Sequence, residues 1–304
     1  MEIAYRIWNA IHTSRRLIKA GFLYHRGFGS DGSADASNQQ VLNYSWNNIA
    51  TYNEAFGQSS LDLTLGFTAN RETTTTQTVS GNTFADDRLK TLNSAAEITA
   101  GGGTENDVTF IGTFLRADYA FANKYLLAGS VRLDGSSRFG ADSRYGIFPA
   151  VSAGWVLTQE NFLANNSVFN FLKVRASYGL TGNAGIGNFD SRGLVAFGND
   201  YNGIPGFMFD RLENPNLEWE KSLTLDGGIE FELFKSRVRG NLLYFVKDTR
   251  DLLLDVPIPW TTGIVNAIIT QNAGEIRNQG FEFALDVDVL KGPLVGLWGL
   301  MEQR

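Results

Sequence analysis

The chain has 304 residues and a net charge of −6, with 19% charged and 12% aromatic residues, 33 Gly, 22 Phe and only 6 Pro. That balance excludes a disordered chain, which lacks apolar groups to bury, and suits a helical domain poorly, since each helical Gly costs about 1 kcal/mol relative to Ala. It leaves no electrostatic footprint for nucleic acid, and the absence of Cys removes disulfides and thiolate metal sites.

In chain order, Met1 to Gly27 carries an acidic second residue and scattered Arg6, Arg15, Arg16 and Lys19. No apolar core precedes a small-residue cleavage site, so the stretch reads as weakly basic and amphipathic and is not expected to be a true N-terminus. Residues 1–40 are treated as an atypical N-terminal stretch. The two histidines of the chain, His12 and His25, both fall here, and no nucleophile-elbow motif accompanies them. Gly27, Gly29 and Gly32 match G-x-G-x-x-G by letter but lack a following amphipathic helix, so the segment reads as a loop. Asp31, Ser33 and Asp35 lack the Gly and Glu that a calcium loop requires.

From Val41 onward, period-two alternation dominates, the mark of a strand with two unlike faces. Val41 to Phe56 is a first candidate. Leu61, Leu63, Leu65 and Phe67 then alternate with Asp62, Thr64, Gly66 and Thr68. Thr73 to Asn106 reads as a long polar loop. Val108 to Phe121 and Lys124 to Asp134 are strands about a tight Ala122-Asn123 turn, and Tyr145 to Leu157 follows. Leu172, Val174, Ala176, Tyr178 and Leu180 alternate with Lys173, Arg175, Ser177 and Gly179. After a polar loop from Gly182 to Glu220, Leu223, Leu225, Ile229, Phe231 and Leu233 oppose Thr224, Asp226, Glu230 and Glu232. A tight Lys235-Ser236 turn leads to Val238, Leu242, Tyr244 and Val246, opposite Arg237, Arg239, Asn241 and Lys247. Pro257 to Gln279 is a third long loop, and Phe281, Phe283, Leu285, Val287 and Val289 close the series against Glu282, Asp286 and Asp288.

These patterns predict about nine to eleven strands. Most exceed the usual 5–6 residues of globular strands and approach the roughly 9–11 needed to cross a bilayer. Tight turns on one side and long loops on the other are the outer-membrane barrel pattern, as are charges alternating with large apolar groups. One sheet of a soluble protein with a solvated face shares the second feature. Trp46, Tyr119, Tyr125, Tyr145, Trp155 and Trp219 near strand ends suit an interfacial girdle, although aromatics favour strands in any case. Mean hydropathy is slightly negative, which a barrel permits because its lipid-facing residues only alternate.

Specific blocks sharpen the reading. Arg132-Leu133-Asp134-Gly135-Ser136-Ser137-Arg138-Phe139-Gly140 is followed by Phe148-Pro149, Ala153-Gly154-Trp155, and Lys173 to Gly179 ending in Thr181-Gly182-Asn183. Then come Asn214-Pro215-Asn216-Leu217, Trp219-Glu220, Thr249 with Asp251-Leu252-Leu253, and Asn272, Gly274, Asn278, Gly280 and Glu282. Singly these are ordinary turn chemistry. In this order they resemble the SusC/RagA family of TonB-dependent transporters, strongly from about Val108 to Leu290 and more faintly from Val41.

The resemblance implies an all-β, antiparallel transmembrane β-barrel, here roughly half of a 22-strand barrel over residues 41–290. It implies import of oligosaccharides or peptides across the outer membrane of a Gram-negative, Bacteroidetes-type cell. The implied partners are a SusD-like surface lipoprotein, the TonB complex and outer-membrane lipid, with no cofactor and no enzyme activity. Residues 291–304 do not resemble the family's closing strands and are treated as an atypical tail. A partial sheet is expected to leave unpaired edges that promote aggregation. A soluble or secreted adhesin, a passive porin and a non-functional remnant are the alternative readings.

The expected site is structural. Asp134 and Arg138 flank a turn and are expected to pair across it, Gly135 and Gly140 to let the chain reverse, and Phe139 and Phe148 to cover the rim. Trp155, Asn183, Trp219, Glu220, Asn272, Gly274, Gly280 and Glu282 join Arg132, Ser136 and Ser137 as motif residues that hold turns rather than touch a solute. Glu218 and Glu220 flank Trp219 like a sugar-cleaving pair, but alternate positions on one strand edge offer no cleft between them.

Overall fold

The computed structural model describes residues 2–18, 33–85, 91–163, 166–264, 267–290 and 296–303. His25, the Gly27 to Gly32 segment and residues 291–295 of the tail lie outside them. The strands are β1 (Glu2–Ile18), β2 (Ser33–Phe56), β3 (Ser59–Phe84), β4 (Ala95–Phe121), β5 (Tyr125–Ser136), β6 (Tyr145–Val156), β7 (Phe169–Asn183), β8 (Leu194–Tyr201), β9 (Ile204–Arg211), β10 (Glu220–Leu233), β11 (Val238–Arg250), β12 (Leu253–Pro257), β13 (Ile268–Asn272), β14 (Glu275–Leu290) and β15 (Gly296–Gln303). Among the described residues, eleven of them form one sheet in the order β1-β2-β3-β4-β5-β6-β7-β10-β11-β14-β15. The pairs β8-β9 and β12-β13 are separate two-stranded ribbons.

The chain divides into two compact units. The first comprises Met1–Ile7, Asn47–Thr68 and Ile111–Arg304. Its antiparallel register sets like residues side by side. Tyr178 faces Val151 on β6 and Leu225 on β10, while Val174 faces Trp155 and Ile229. Ile229 in turn faces Leu242, which faces Phe283 on β14. The tight turns fall where expected. Ala122 and Asn123 take φ of 53° and 55°, and Phe234, Lys235 and Ser236 take 52°, 60° and 59°, the positive φ that matches hairpin twist.

The second unit comprises Trp8–Trp46 and Ala69–Phe110. It overturns the expected loop from Thr73 to Asn106, because β3 continues to Phe84 and β4 begins at Ala95. Polar residues on both faces hide the alternation there, yet the run Thr73 to Thr76 is β-branched and favours extended backbone. The Arg71 guanidinium grips Asp107 with two bonds of 3.0 and 2.8 Å, and the Thr73 hydroxyl donates to the same carboxylate at 3.0 Å. The expected loop from Gly182 to Glu220 contains the β8-β9 hairpin, and that from Pro257 to Gln279 contains β13, which pairs back onto β12, and the first residues of β14.

Candidate functional site

Within the first unit the sheet has two chemically opposed faces. One exposes Leu127, Val131, Leu133, Ile147, Val151, Val174, Tyr178, Leu225, Ile229, Leu242, Tyr244, Phe281 and Phe283, each between 37% and 63% accessible. The register makes these a continuous patch over six strands. A patch of this extent is far beyond the few hundred Å² usual on a soluble monomer.

The other face is ionic. Arg175 pairs with Glu230 at 3.0 Å and Asp226 at 3.5 Å, Lys173 pairs with Glu230 at 3.5 Å, and the Ser177 hydroxyl donates to Asp226. Arg116 pairs with Asp118 at 2.6 Å and Arg239 with Asp288 at 3.3 Å. This face also carries a concavity of about 340 Å³ whose lining includes Asp62, Arg116, Lys173 and Ser177.

At the long-loop end of β5, β6, β7 and β10 the sequence blocks converge on Trp219. Its ring packs 4.9 Å from Phe139 and 5.4 Å from Phe148, the second contact edge-on, a favourable aromatic arrangement. The indole Nε1 donates to the Arg144 carbonyl at 3.1 Å. Trp219 is 4% exposed and Phe139 1%. Glycines make room for this core. A Cβ on Gly182 would lie 2.1 Å from the Phe148 ring, and one on Gly140 would lie 2.0 Å from the Pro215 carbonyl oxygen.

Polar side chains stitch the loops beneath. Arg138 donates to Asn188 Oδ1 at 3.1 Å and to the Ala184 carbonyl at 2.9 Å. Asn272 accepts from the Glu218 N–H at 2.9 Å and donates to the carbonyls of Glu218 at 2.8 Å and Asp251 at 3.0 Å. One amide thus supplies both of Glu218's backbone partners, which would otherwise carry a desolvation cost. Asn214 donates to the Thr270 carbonyl at 2.9 Å. Glu220 accepts from Asn183 at 3.2 Å and from the Leu253 N–H at 3.3 Å, which ties β7 to β12. Glu218 instead pairs with Lys221 at 2.9 Å. The loop leading to β8 is closed by the Asp190 carboxylate, which pairs with Arg211 and accepts from the Gly187 N–H at 2.6 Å.

Several expectations change. Asp134 does not pair with Arg138. It is buried and takes both oxygens to the Arg132 Nε at 2.6 and 2.7 Å, because alternate residues of one strand share a face. Gly135 and Gly140 do not adopt positive φ. They permit close approach, Gly135 to the Tyr145 ring and Gly140 to Pro215. Trp219 is a core residue rather than part of a girdle, whereas Trp155 lies at the opposite, short-turn end. Ser136 is buried and its Oγ accepts from the Arg138 N–H at 3.3 Å, and Ser137 follows it in the same turn. Gly274, at φ 80°, supplies the left-handed residue between β13 and β14. Gly280 and Glu282 lie within β14, opposite Phe245 and Leu243, apart from the Trp219 cluster. Gly112 was missed. A Cβ there would lie 2.5 Å from Asp134, and a glycine inside a strand pattern is the one available signal.

At the short-turn end, Tyr125 and Trp155 stack at 6.2 Å and both donate to Glu160 Oε1, at 2.7 and 3.1 Å. Lys124 reaches the other oxygen at 3.3 Å. The Tyr125 hydroxyl, then the Trp155 N–H and Lys124, hold the Glu160 carboxyl below its ordinary value of 4.5. A depressed carboxyl contributes stability that is complete above the unfolded value and is lost as pH falls through the folded one. Acidification below pH 4.5 should therefore release this clip, read as the part of the tryptophan emission change that a Trp155→Phe variant lacks, since the chain has 6 Trp. Glu160→Gln should abolish the transition. An unchanged titration in that variant would assign it to another group.

Long antiparallel strands, one apolar and one ionic face, and loops braced at one end define a segment of membrane β-barrel wall. The family model described as "TonB dependent receptor-like, beta-barrel" matches residues 5–302, and the chain belongs to that family. It is 35% identical over 242 residues to TonB-dependent receptor P39 of Formosa agariphila, covering 78% of this chain and 23% of that protein. It is 37% identical over 185 residues to TonB-dependent receptor SusC of Bacteroides thetaiotaomicron, covering 59% of this chain and 18% of that protein. The RagAB peptide transporter structure shares the fold with a TM-score of 0.82 at 24% identity, over 95% of this chain and 32% of that one. The chain thus spans about a quarter of the length of the P39 receptor.

Proposed function

We propose that this chain contributes wall strands to an energy-coupled importer in the outer membrane of a Gram-negative, Bacteroidetes-type cell. The importer takes up oligosaccharides or peptides, draws on TonB for energy and works with a SusD-like surface lipoprotein. It carries out no bond chemistry of its own. We take residues 41–290 as the central barrel portion, with β1 and β15 as the outer strands of the same sheet. The observation that carries this reading is the continuous apolar face, opposed across one sheet thickness by paired charges. Lipid on one side and a water-filled interior on the other would satisfy both. A soluble adhesin leaves the apolar face without a partner. We further infer that the Arg132 to Gly140 block, Asn183, Trp219, Glu220 and Asn272 brace the loop end, and that solute contact falls to other residues.

The absence of cysteine allows a direct test. Leu225→Cys and Asp226→Cys are neighbours on opposite faces. In lipid vesicles containing the chain, a water-soluble maleimide should label Asp226→Cys and spare Leu225→Cys. Equal labelling, with a detergent-free monomer in water, would overturn the membrane reading and favour the adhesin.

A further inference from the structure

The β8-β9 ribbon ends in Tyr201-Asn202-Gly203-Ile204, where Tyr201 pairs with Ile204 and the two residues between form the turn. Asn202 takes φ 52° and Gly203 φ 80°, so both central residues are left-handed. This is the two-residue hairpin geometry that favours Asn-Gly. Both are exposed, and a Cβ built on Gly203 would meet nothing within 4 Å. Among the described interactions the Asn202 side chain has no hydrogen-bond partner and the Gly203 N–H no acceptor. It is also the one Asn-Gly pair in the chain.

We propose that Asn202 is a site of spontaneous covalent modification, through attack of the Gly203 nitrogen on its side-chain amide. The Gly203 N–H loses its proton to base and the nitrogen bonds to Asn202 Cγ. The Cγ–Nδ2 bond breaks and ammonia leaves with that proton, giving a five-membered imide. Water then opens the imide at one of two carbonyls. Cleavage of the new Cγ–N bond yields aspartate in a normal chain. Cleavage of the original C–N bond yields isoaspartate, with the chain rerouted through Cγ. No oxidant or reductant enters.

The ribbon gives little that would prevent the attack. The attacking nitrogen has no side chain crowding it and no hydrogen bond to break, and the target amide has none either. Exposed tips of small residues are also where local opening concentrates. Beside the turn, Phe197 pairs with Phe207 and Val195 with Phe209. Isoaspartate adds one backbone carbon to a two-residue turn whose length sets strand register. The modification would therefore uncouple the exposed aromatic rows of this ribbon, so that the hairpin ages.

The test uses the full chain in lipid vesicles, held at pH 6 and pH 8 and sampled over days. Arg192 and Arg211 bracket the ribbon, so trypsin releases it as one peptide that also contains Asn199, followed by Asp200. We expect deamidation at Asn202 to exceed that at Asn199 several-fold, to run faster at pH 8, and to leave mostly isoaspartate. Asn202→Gln should remove it. A urea-unfolded sample supplies the rate of the unconstrained chain. If that sample deamidates at Asn202 while the folded chain stays intact at both pH values, the turn protects its asparagine and the proposal falls.

Discussion

Trp219→Ala should destabilise the chain by about 3–5 kcal/mol, the range for removing a large buried aromatic. The indole occupies the space between Phe139 and Phe148, and its loss leaves both rings facing a cavity and the Arg144 carbonyl with the Ser136 N–H as its remaining donor. Trp155→Ala, at the other end, should cost far less, because that ring is 40% exposed. Urea unfolding of both variants in lipid vesicles separates them. Hydrogen exchange should locate the Trp219→Ala effect in the 136–148 and 214–220 segments. Equal, small costs for the two tryptophans would mean that the loop end is not braced through Trp219, and the structural role proposed for the motif residues would fail with it.

Leu225→Arg is expected to cost about 2–4 kcal/mol if position 225 lies near the middle of the bilayer, as charges on the lipid face of a barrel do there. Thr224→Arg, one residue earlier and on the ionic face, should cost much less because the side chain enters a polar, hydrated setting. The contrast between neighbours matters more than either value, since strand position, loop contacts and unfolded state are nearly shared. Parity between them in vesicles would remove the assignment of the two faces to lipid and water, even if the sheet itself folds.

Much of the wall was legible in the sequence. Alternation in Leu172 to Leu180 and Leu223 to Leu233 predicted which residues share a face, because the side-chain period of a strand is two whatever it pairs with. The Ala122-Asn123 and Lys235-Ser236 turns were legible because each joins two alternating runs at minimal length. What failed did so for identifiable reasons. The Thr-rich part of β3 is polar on both faces and offers no alternation to read. The β8-β9 ribbon lay inside an expected loop, although Val195, Phe197, Phe207 and Phe209 flanking Asn202-Gly203 are a hairpin signal.

The loop-end cluster was legible as a set of residues and not as a set of contacts. Trp219 stands at the start of β10, where an interfacial position and a core position look alike in sequence. Only the meeting of Phe139, from the turn after β5, with Phe148, from β6, decides between them. The same holds for Asp134, whose partner could lie two residues before it or four after. Asn272 pairs with Glu218, 54 positions away, a relation that no local pattern encodes.

The pairing of unlike faces also constrains how the sheet can assemble. If β10 slipped by one residue against β7, Asp226 and Glu230 would turn toward the apolar side, and Leu225 and Ile229 toward Lys173 and Arg175. Such an error would strand charges in lipid and is rejected strongly. A slip of two residues keeps every face correct and escapes that check. Fit at the loop end supplies a finer one, because Trp219 must reach Phe139 and Phe148, and the Pro215 carbonyl must meet Gly140, at one particular height. Alternation thus excludes the odd misalignments, and the glycine-lined aromatic core excludes the even ones.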